Sequence, residues 1–169
     1  MTMEYPTSNM DITGDGLSLE GKQYVTFSLE DEEYGMDILR VQEIIGYKGF
    51  TKIPDVADYV KGVLNLRGTV VPVIDLRLKF NMPAKPYDKF TVIMIVVVEG
   101  RVMGIIVDAV SDVVNLGQND IQPTPKIAAK IRTEFIKGMG RMEEDFIILL
   151  DIEKVLSLEE LDEIDSAVN

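Results

Sequence analysis

The sequence predicts a mainly β fold, built from one small unit repeated twice and finished by a C-terminal helix. Three observations carry this. Short apolar runs with period-two alternation recur between Gly, Pro and Asp turns. A set of marker residues in the first half returns in the same order in the second. After Asp151 the apolar spacing changes to that of a helix. A chain of 169 residues can bury a core without disulfides or a structural metal.

Residues 1–21 are polar, Gly-bearing and aperiodic, and are expected to form a flexible tail. Asp11-Ile-Thr-Gly-Asp15-Gly16 resembles the opening of a calcium loop, but the twelfth position, which needs Glu, is Lys22. Strand signals begin at Gln23, where Val25, Phe27 and Leu29 alternate with Tyr24, Thr26 and Ser28. Glu30 to Glu33 is an acidic turn, and Tyr34 to Ile38 reads as the returning strand of a hairpin. Val41 to Tyr47 is a third strand, and Ile53, Pro54 and Asp55 mark a loop. Gly62 to Leu66 and Thr69 to Ile74 flank Arg67-Gly68 as a second hairpin. Pro72 has no N–H to give, which predicts an edge strand or a bulge there.

The repeat is then explicit. Gly35 and Gly104, Val41 and Val110, Glu43 and Asp112, and Pro54 and Pro123 each stand 69 residues apart. Gly62 and Gly138, and Asp75 and Asp151, stand 76 apart, which places a seven-residue insertion around Ala128–Phe135. Each unit has about five short strands, enough for a small barrel or closed sheet. Thr91 to Val98 is apolar without alternation, so it is buried on both faces, either at the seam between the halves or inside one barrel. Beyond Asp151, Ile152, Val155 and Leu156 follow helical spacing. Ser157 with Glu160 forms a capping box, and Leu158, Leu161 and Ile164 share one side. Residues 151–169 carry seven acids and one Lys, read as a solvated acidic face.

Composition excludes much chemistry. There is no Cys and no His, which removes disulfides, Cys nucleophiles, Ser-His triads and nearly all zinc sites. The net charge of −12 repels a phosphate backbone, so nucleic acid is not an expected partner. The first basic residue is Lys22 and the longest apolar run, Val92 to Val98, is too short to span a bilayer. A cytoplasmic protein without membrane insertion is expected. No phosphate loop is present. Asp75 and Asp151 each follow an apolar strand and precede a short helical segment, where a carboxylate caps free N–H groups. A small acidic enzyme using Asp75, Asp108 or Asp151 would need its carboxyls to converge on one cleft. A solitary ligand-binding barrel would need an apolar cavity inside one barrel. In Asn65-Leu66-Arg67-Gly68, Gly68 permits a positive φ at the hairpin tip and holds Arg67 on a short support. Such an arginine can engage a partner's carboxylate, or pair within the chain, with Glu43 as a candidate.

Gln23-Tyr-Val-Thr-Phe27, Glu33-Tyr-Gly35-Met-Asp37-Ile38-Leu39, Val41-Gln-Glu43-Ile44, Gly62-Val-Leu-Asn65-Leu66-Arg67-Gly68, Val71-Pro-Val-Ile-Asp75-Leu76-Arg77 and Gly104-Ile-Ile-Val107-Asp108 together resemble the CheW family of chemotaxis coupling proteins. The resemblance covers about residues 22–156. It implies two SH3-like five-stranded β barrels on a shared core, the first at about 22–87 and the second at about 88–152, followed by an acidic C-terminal helix and tail at 153–169. With room for neither a receiver nor a kinase domain, the chain resembles the stand-alone adaptor. The resemblance further implies no catalysis and no cofactor. The implied partners are the cytoplasmic hairpin tip of methyl-accepting chemoreceptors, the regulatory domain of the CheA histidine kinase, and other coupling proteins in array rings. The groove between the barrels receives the receptor, and the barrels pair with those of the kinase domain. Family positions linked with these contacts fall on Glu43 and Arg67, with Ile44 and Asn65 beside them. Others fall on Val41, Gly62, Gly68, Val92, Gly104, Val110, Val113 and Gly138. Each of these glycines also has a turn or bulge as its explanation, and each valine also has core packing. The stretch after Pro54 lacks a second Pro common in the family, and the second half has no copy of the Asn-Leu-Arg-Gly tip.

Overall fold

A computed structural model describes residues 21–124 and 133–168. Eleven strands and three helices are set out among them. The strands are β1 (Lys22–Leu29), β2 (Glu32–Asp37), β3 (Val41–Gly46), β4 (Val60–Leu66), β5 (Thr69–Asp75), β6 (Val92–Val98), β7 (Arg101–Val107), β8 (Ala109–Leu116), β9 (Ile121–Gln122), β10 (Ile136–Met142) and β11 (Asp145–Leu150). The helices are α1 (Leu76–Lys79), α2 (Ile152–Val155) and α3 (Leu158–Val168). The expected tail with its calcium-like stretch at 11–16, and most of the expected insertion, lie outside the described residues.

Both hairpins read from the first half form as expected, but the strands do not sort by halves. One sheet runs β8-β1-β2-β11-β10-β9 and the other β3-β6-β7-β5-β4. Each sheet therefore takes a hairpin from one half and the later strands from the other. The division into barrels at 22–87 and 88–152 is corrected accordingly, and one sheet has six strands because the two-residue β9 joins it. The reason is physical. Period two says that a strand has two faces; it does not say which strand lies beside it. β2 meets β11 in parallel, with Leu149 opposite Gly35, and β5 meets β7 in parallel, with Val73 opposite Gly104. These are the same contact made twice, since the partners are related by the 76- and 69-residue offsets. The bulges repeat as well. β3 bulges between Val41 and Glu43, and β8 bulges between Val110 and Asp112. β4 bulges between Val60 and Gly62, and β10 between Ile136 and Gly138. A bulge is a specific device, so its recurrence at matched positions supports the duplication.

Three apolar clusters follow. The largest joins both sheets and holds Val25, Phe27 and Leu29 of β1, Met94, Val96 and Val98 of β6, and Leu161 and Ile164 of α3. A second fills one sheet's interior with Val71, Val73, Ile93, Ile95 and Ile106. The third fills the other with Tyr24, Leu116, Ile147 and Leu149. β6 thus serves the seam with one face and its own barrel with the other, which unites the two readings of that run. β1 does the same, so its Tyr24 and Thr26 face is also buried. Pro72 is neither at an edge nor in a bulge. β5 lies between β7 and β4, and its pairing with β7 begins at Val73. On the β4 side Pro72 faces Val63, whose N–H and C=O bond Thr51 at 2.8 and 2.7 Å, so no proline N–H is needed.

The helices are fixed by side-chain caps. Asp75 accepts from the N–H groups of Arg77 (2.9 Å) and Leu78 (3.4 Å), and Asp151 accepts from Glu153 N–H (3.1 Å). Ser157 and Glu160 form the expected capping box, at 3.0 and 2.9 Å. α3 docks through Leu161 and Ile164, whereas Leu158 is 63% exposed and does not share their side. Ion pairs also hold it: Lys79 to Glu160 at 2.8 Å, and Arg101 to Asp165 and Asp162 at 2.5 and 3.0 Å.

Arg77 is the one buried cation of the described core. Its guanidinium donates to Asp108 twice (2.7 and 2.9 Å), to Glu30 (2.5 Å) and to the carbonyl of Pro83 (2.7 Å). It ties the β1–β2 turn of one sheet to the end of β7 in the other. Arg77→Met would leave two carboxylates together without their cation. We expect a loss of about 3 kcal/mol, read as a lower midpoint in urea unfolding.

Candidate protein-binding surface

The most exposed group of the expected positions is built on a rigid tip. Leu66 pairs with Thr69, leaving a two-residue loop whose members, Arg67 and Gly68, have φ of 52° and 89°. Positive φ at both positions is the hairpin turn that matches strand twist. Asn65 braces it, its side-chain oxygen accepting from Gly68 N–H at 2.7 Å. From this tip Arg67 reaches the edge strand β3. Its guanidinium pairs with the carboxylate of Glu43, with a second contact at 3.4 Å. The guanidinium hydrogen bond holds the Glu43 carboxyl below its ordinary value, and Glu43 raises Arg67 in return. The internal ion pair weighed from the sequence therefore forms, and it forms in the open, with Arg67's side chain 71% exposed. Ile44 beside it is 39% exposed, and Val70 on the same hairpin 54%. A hollow of about 570 Å³ between β3 and β4 adjoins them, with Phe50, Asn65 and Arg67 in its wall.

The other expected positions fall elsewhere. Val41, Val92 and Val110 are half-buried against the core shared by the sheets. Val113 is 45% exposed on β8, the edge of the other sheet. Gly62, Gly104 and Gly138 are buried. A Cβ on Gly62, whose φ is +153°, would sit 2.1 Å from the carbonyl oxygen of Thr51. One on Gly104 would sit 2.8 Å from Ile93, and one on Gly138 3.0 Å from Ile121. Gly62 is crowded by backbone, Gly104 by the side chains of Ile93 and Val73, and Gly138 by Ile121 and the Gln122 carbonyl.

Sequence reasoning passed over Val70 and Phe146, both exposed and both on hairpins. They stand 76 residues apart, so the repeat offset was the signal that could have found them. The three carboxylates weighed for catalysis do not converge. Asp75 caps α1 and accepts from Tyr87 O–H at 2.7 Å, Asp108 holds Arg77, and Asp151 caps α2. Among the described residues, no group of three or more Asp, Glu, His or Cys could hold a metal ion. No helix among them is long and apolar enough to cross a membrane.

A family model described as the CheW-like domain matches residues 23–160, most of the chain. The chain belongs to the CheW family. It is 47% identical to the chemotaxis protein CheW of Klebsiella aerogenes over 146 residues, covering 86% of this chain and 88% of that one. It is 37% identical to the CheW of Rhizobium meliloti, covering 83% and 90%. The crystal structure of the scaffolding protein TtCheW from Thermoanaerobacter tengcongensis matches with a TM-score of 0.76 at 35% identity, covering 83% of this chain and 95% of that one. The fold of two sheets with a C-terminal helix is the CheW fold.

Two outcomes are expected. Gly62→Ala meets backbone rather than a yielding side chain, so it is expected to lower stability by about 2 kcal/mol or more in denaturant unfolding. Any loss of binding in that variant reports folding. Arg67→Ala and Glu43→Ala remove only an exposed pair, and are expected to keep the thermal midpoint within about 3 °C. Glu43's lowered value makes the pair complete above the ordinary glutamate range and lost only as pH falls through that lower value. An NMR titration of Glu43 is therefore expected to show no change between about pH 6 and 8.

Proposed function

We propose that this protein is the chemotaxis scaffold that couples chemoreceptors to the CheA histidine kinase, acting without catalysis. The observation that carries this reading is the match, over more than four fifths of the chain, to relatives named chemotaxis protein CheW and to a structure named scaffolding protein TtCheW. The receptor partner is the cytoplasmic hairpin tip, the kinase partner is the regulatory domain, and the protein works at the cytoplasmic face of the membrane within receptor arrays.

The geometry supports this assignment. Arg67 sits on a braced two-residue tip, with little conformational freedom to lose on binding. Its guanidinium has five donors, so it can keep Glu43 and still engage a partner carboxylate or carbonyl. Ile44 and Val70 supply apolar area beside it. Val41, Val92 and Val110 line the margin of the seam where the receptor helix pair is received. Each contact is modest, and strength comes from many contacts held together in the array. Receptor state reaches the kinase only through a difference in how the scaffold binds the kinase's states.

The test is calorimetric binding to a CheA regulatory domain and to a receptor cytoplasmic fragment from the same organism. Wild type is expected to bind both. Arg67→Ala and Glu43→Ala, shown to be folded, are expected to weaken receptor binding about tenfold. Unchanged receptor affinity in both variants would remove these residues from the contact. A folded wild type that binds neither partner would sink the function.

A further inference from the structure

The C-terminal helix cannot stand by itself. α3 has 11 residues, and isolated helices of that length are marginal in water. Five of its residues are carboxylates, Glu159, Glu160, Asp162, Glu163 and Asp165, and no Lys or Arg follows Lys154 in the chain. Glu159 stands three and four residues from Asp162 and Glu163, and Asp162 three from Asp165, so like charges neighbour one another on the helix surface. Glu159 and Glu160 suit the first turn, but Asp165 lies in the last, where a carboxylate opposes the helix dipole. The apolar strip that offsets this is narrow: Leu161 and Ile164 are buried and Val168 is partly so.

The counter-charge comes from the body of the protein. Lys79 is held by its own surroundings. Its side chain is 11% exposed, and its ammonium lies 4.9 Å from the Tyr59 ring centre and 5.8 Å from that of Phe135, which stacks on Phe80. Glu160 reaches that ammonium at 2.8 Å, and the Tyr59 hydroxyl bonds the same carboxylate. Arg101 takes Asp162 and Asp165 further along the helix. Both cations belong to the five-stranded sheet: Lys79 ends α1, which follows β5, and Arg101 opens β7. α3 itself follows β11 and α2, at the end of the six-stranded sheet. It therefore crosses from one sheet to the other.

We propose that α3 is a charge-held strap across the seam: it folds and docks in one step on Lys79 and Arg101, and it releases as a unit while both sheets stay folded. The inference goes beyond the scaffold reading and does not depend on it. Strapped, α3 ties the six-stranded sheet to the five-stranded one. Released, it uncovers Tyr59 and Val60, which share a hollow with Ile164 and Ala167. A partner that binds the two forms unequally shifts the strap, and the strap changes that partner's affinity by the same factor.

The test is amide exchange followed by NMR on the full chain, comparing α3 with the buried strand β6 at about 20 and about 500 mM salt. Two variants remove one charge each. Arg101→Gln takes away an anchor, and Glu160→Gln takes away its opposite number at the other cation while keeping an acceptor for the Ser157 N–H. In wild type at low salt, α3 amides are expected to be protected at least about a hundredfold less than those of β6. High salt is expected to lower α3 protection about tenfold and to leave β6 within about threefold. Each variant is expected to show that same loss at low salt. Exchanging the charges, Arg101→Asp with Asp165→Arg, is expected to restore most of the protection lost in Arg101→Gln. Equal protection of α3 and β6 under all conditions makes the helix part of the cooperative core and overturns the proposal. Separate opening of α3 that neither salt nor the variants alter assigns its docking to Leu161 and Ile164 alone, and overturns it too. Neither result touches the scaffold reading, which is decided by partner binding.

Discussion

The parallel meetings of β2 with β11 and of β5 with β7 are the constraint on which the molecule depends. Each joins a strand of one half to a strand of the other, and together they build the shared core. They bring Phe27 and Leu29 of β1 into one cluster with Met94 and Val96 of β6. The glycines at the crossings fit this role. Gly35 and Gly104 face Leu149 and Val73 across the parallel pairs, where a side chain would press on Leu149 at the first and on Ile93 of the neighbouring β6 at the second. Arg77 closes the same seam electrostatically, because Glu30 comes to it from the β1–β2 turn and Asp108 from the link between β7 of one sheet and β8 of the other.

Much of this was legible because it is local. Asp75 and Asp151 cap the turns that follow them, Gly68 takes its positive φ, and the offsets of 69 and 76 describe real equivalences down to the bulges. What failed was non-local. Alternation along β1 gave its faces but not its neighbours, so the exchange of hairpins between halves was hidden. Pro72 was judged by its missing N–H alone, because nothing in the sequence shows that Val63 opposite it is already bonded to Thr51. The acidic C-terminal segment looked like a solvated face. Its Glu160, Asp162 and Asp165 instead meet Lys79 and Arg101 on the body of the protein, cations far away in sequence. The burial of Arg77 is not legible in the sequence, because it depends on partners that three separate segments, at Glu30, Pro83 and Asp108, bring together.

The recognition surfaces obey the same division. Glu43 and Arg67 were singled out from the sequence, and the structure adds that an edge strand and a braced hairpin tip bring them together. Charge on an edge strand also discourages indiscriminate strand addition, which matters where β3 and β8 end their sheets. The buried glycines among the expected positions leave no room for a Cβ, so a change there alters the packing of the sheets as well as any contact.

The hairpin exchange also sets a timetable for synthesis. β1 and β2 are among the first strands to leave the ribosome, yet Tyr34 must wait for Ile148, which is among the last. The first sheet made is thus the last completed, and β2 spends most of elongation with one open edge. Such long-range pairing raises contact order and slows folding. The acidic turn Glu30 to Glu33 at the tip of that waiting hairpin places charge where nascent chains would otherwise associate. For the same reason a cut between the halves would not yield two working barrels: each fragment would hold a hairpin that belongs to the other's sheet.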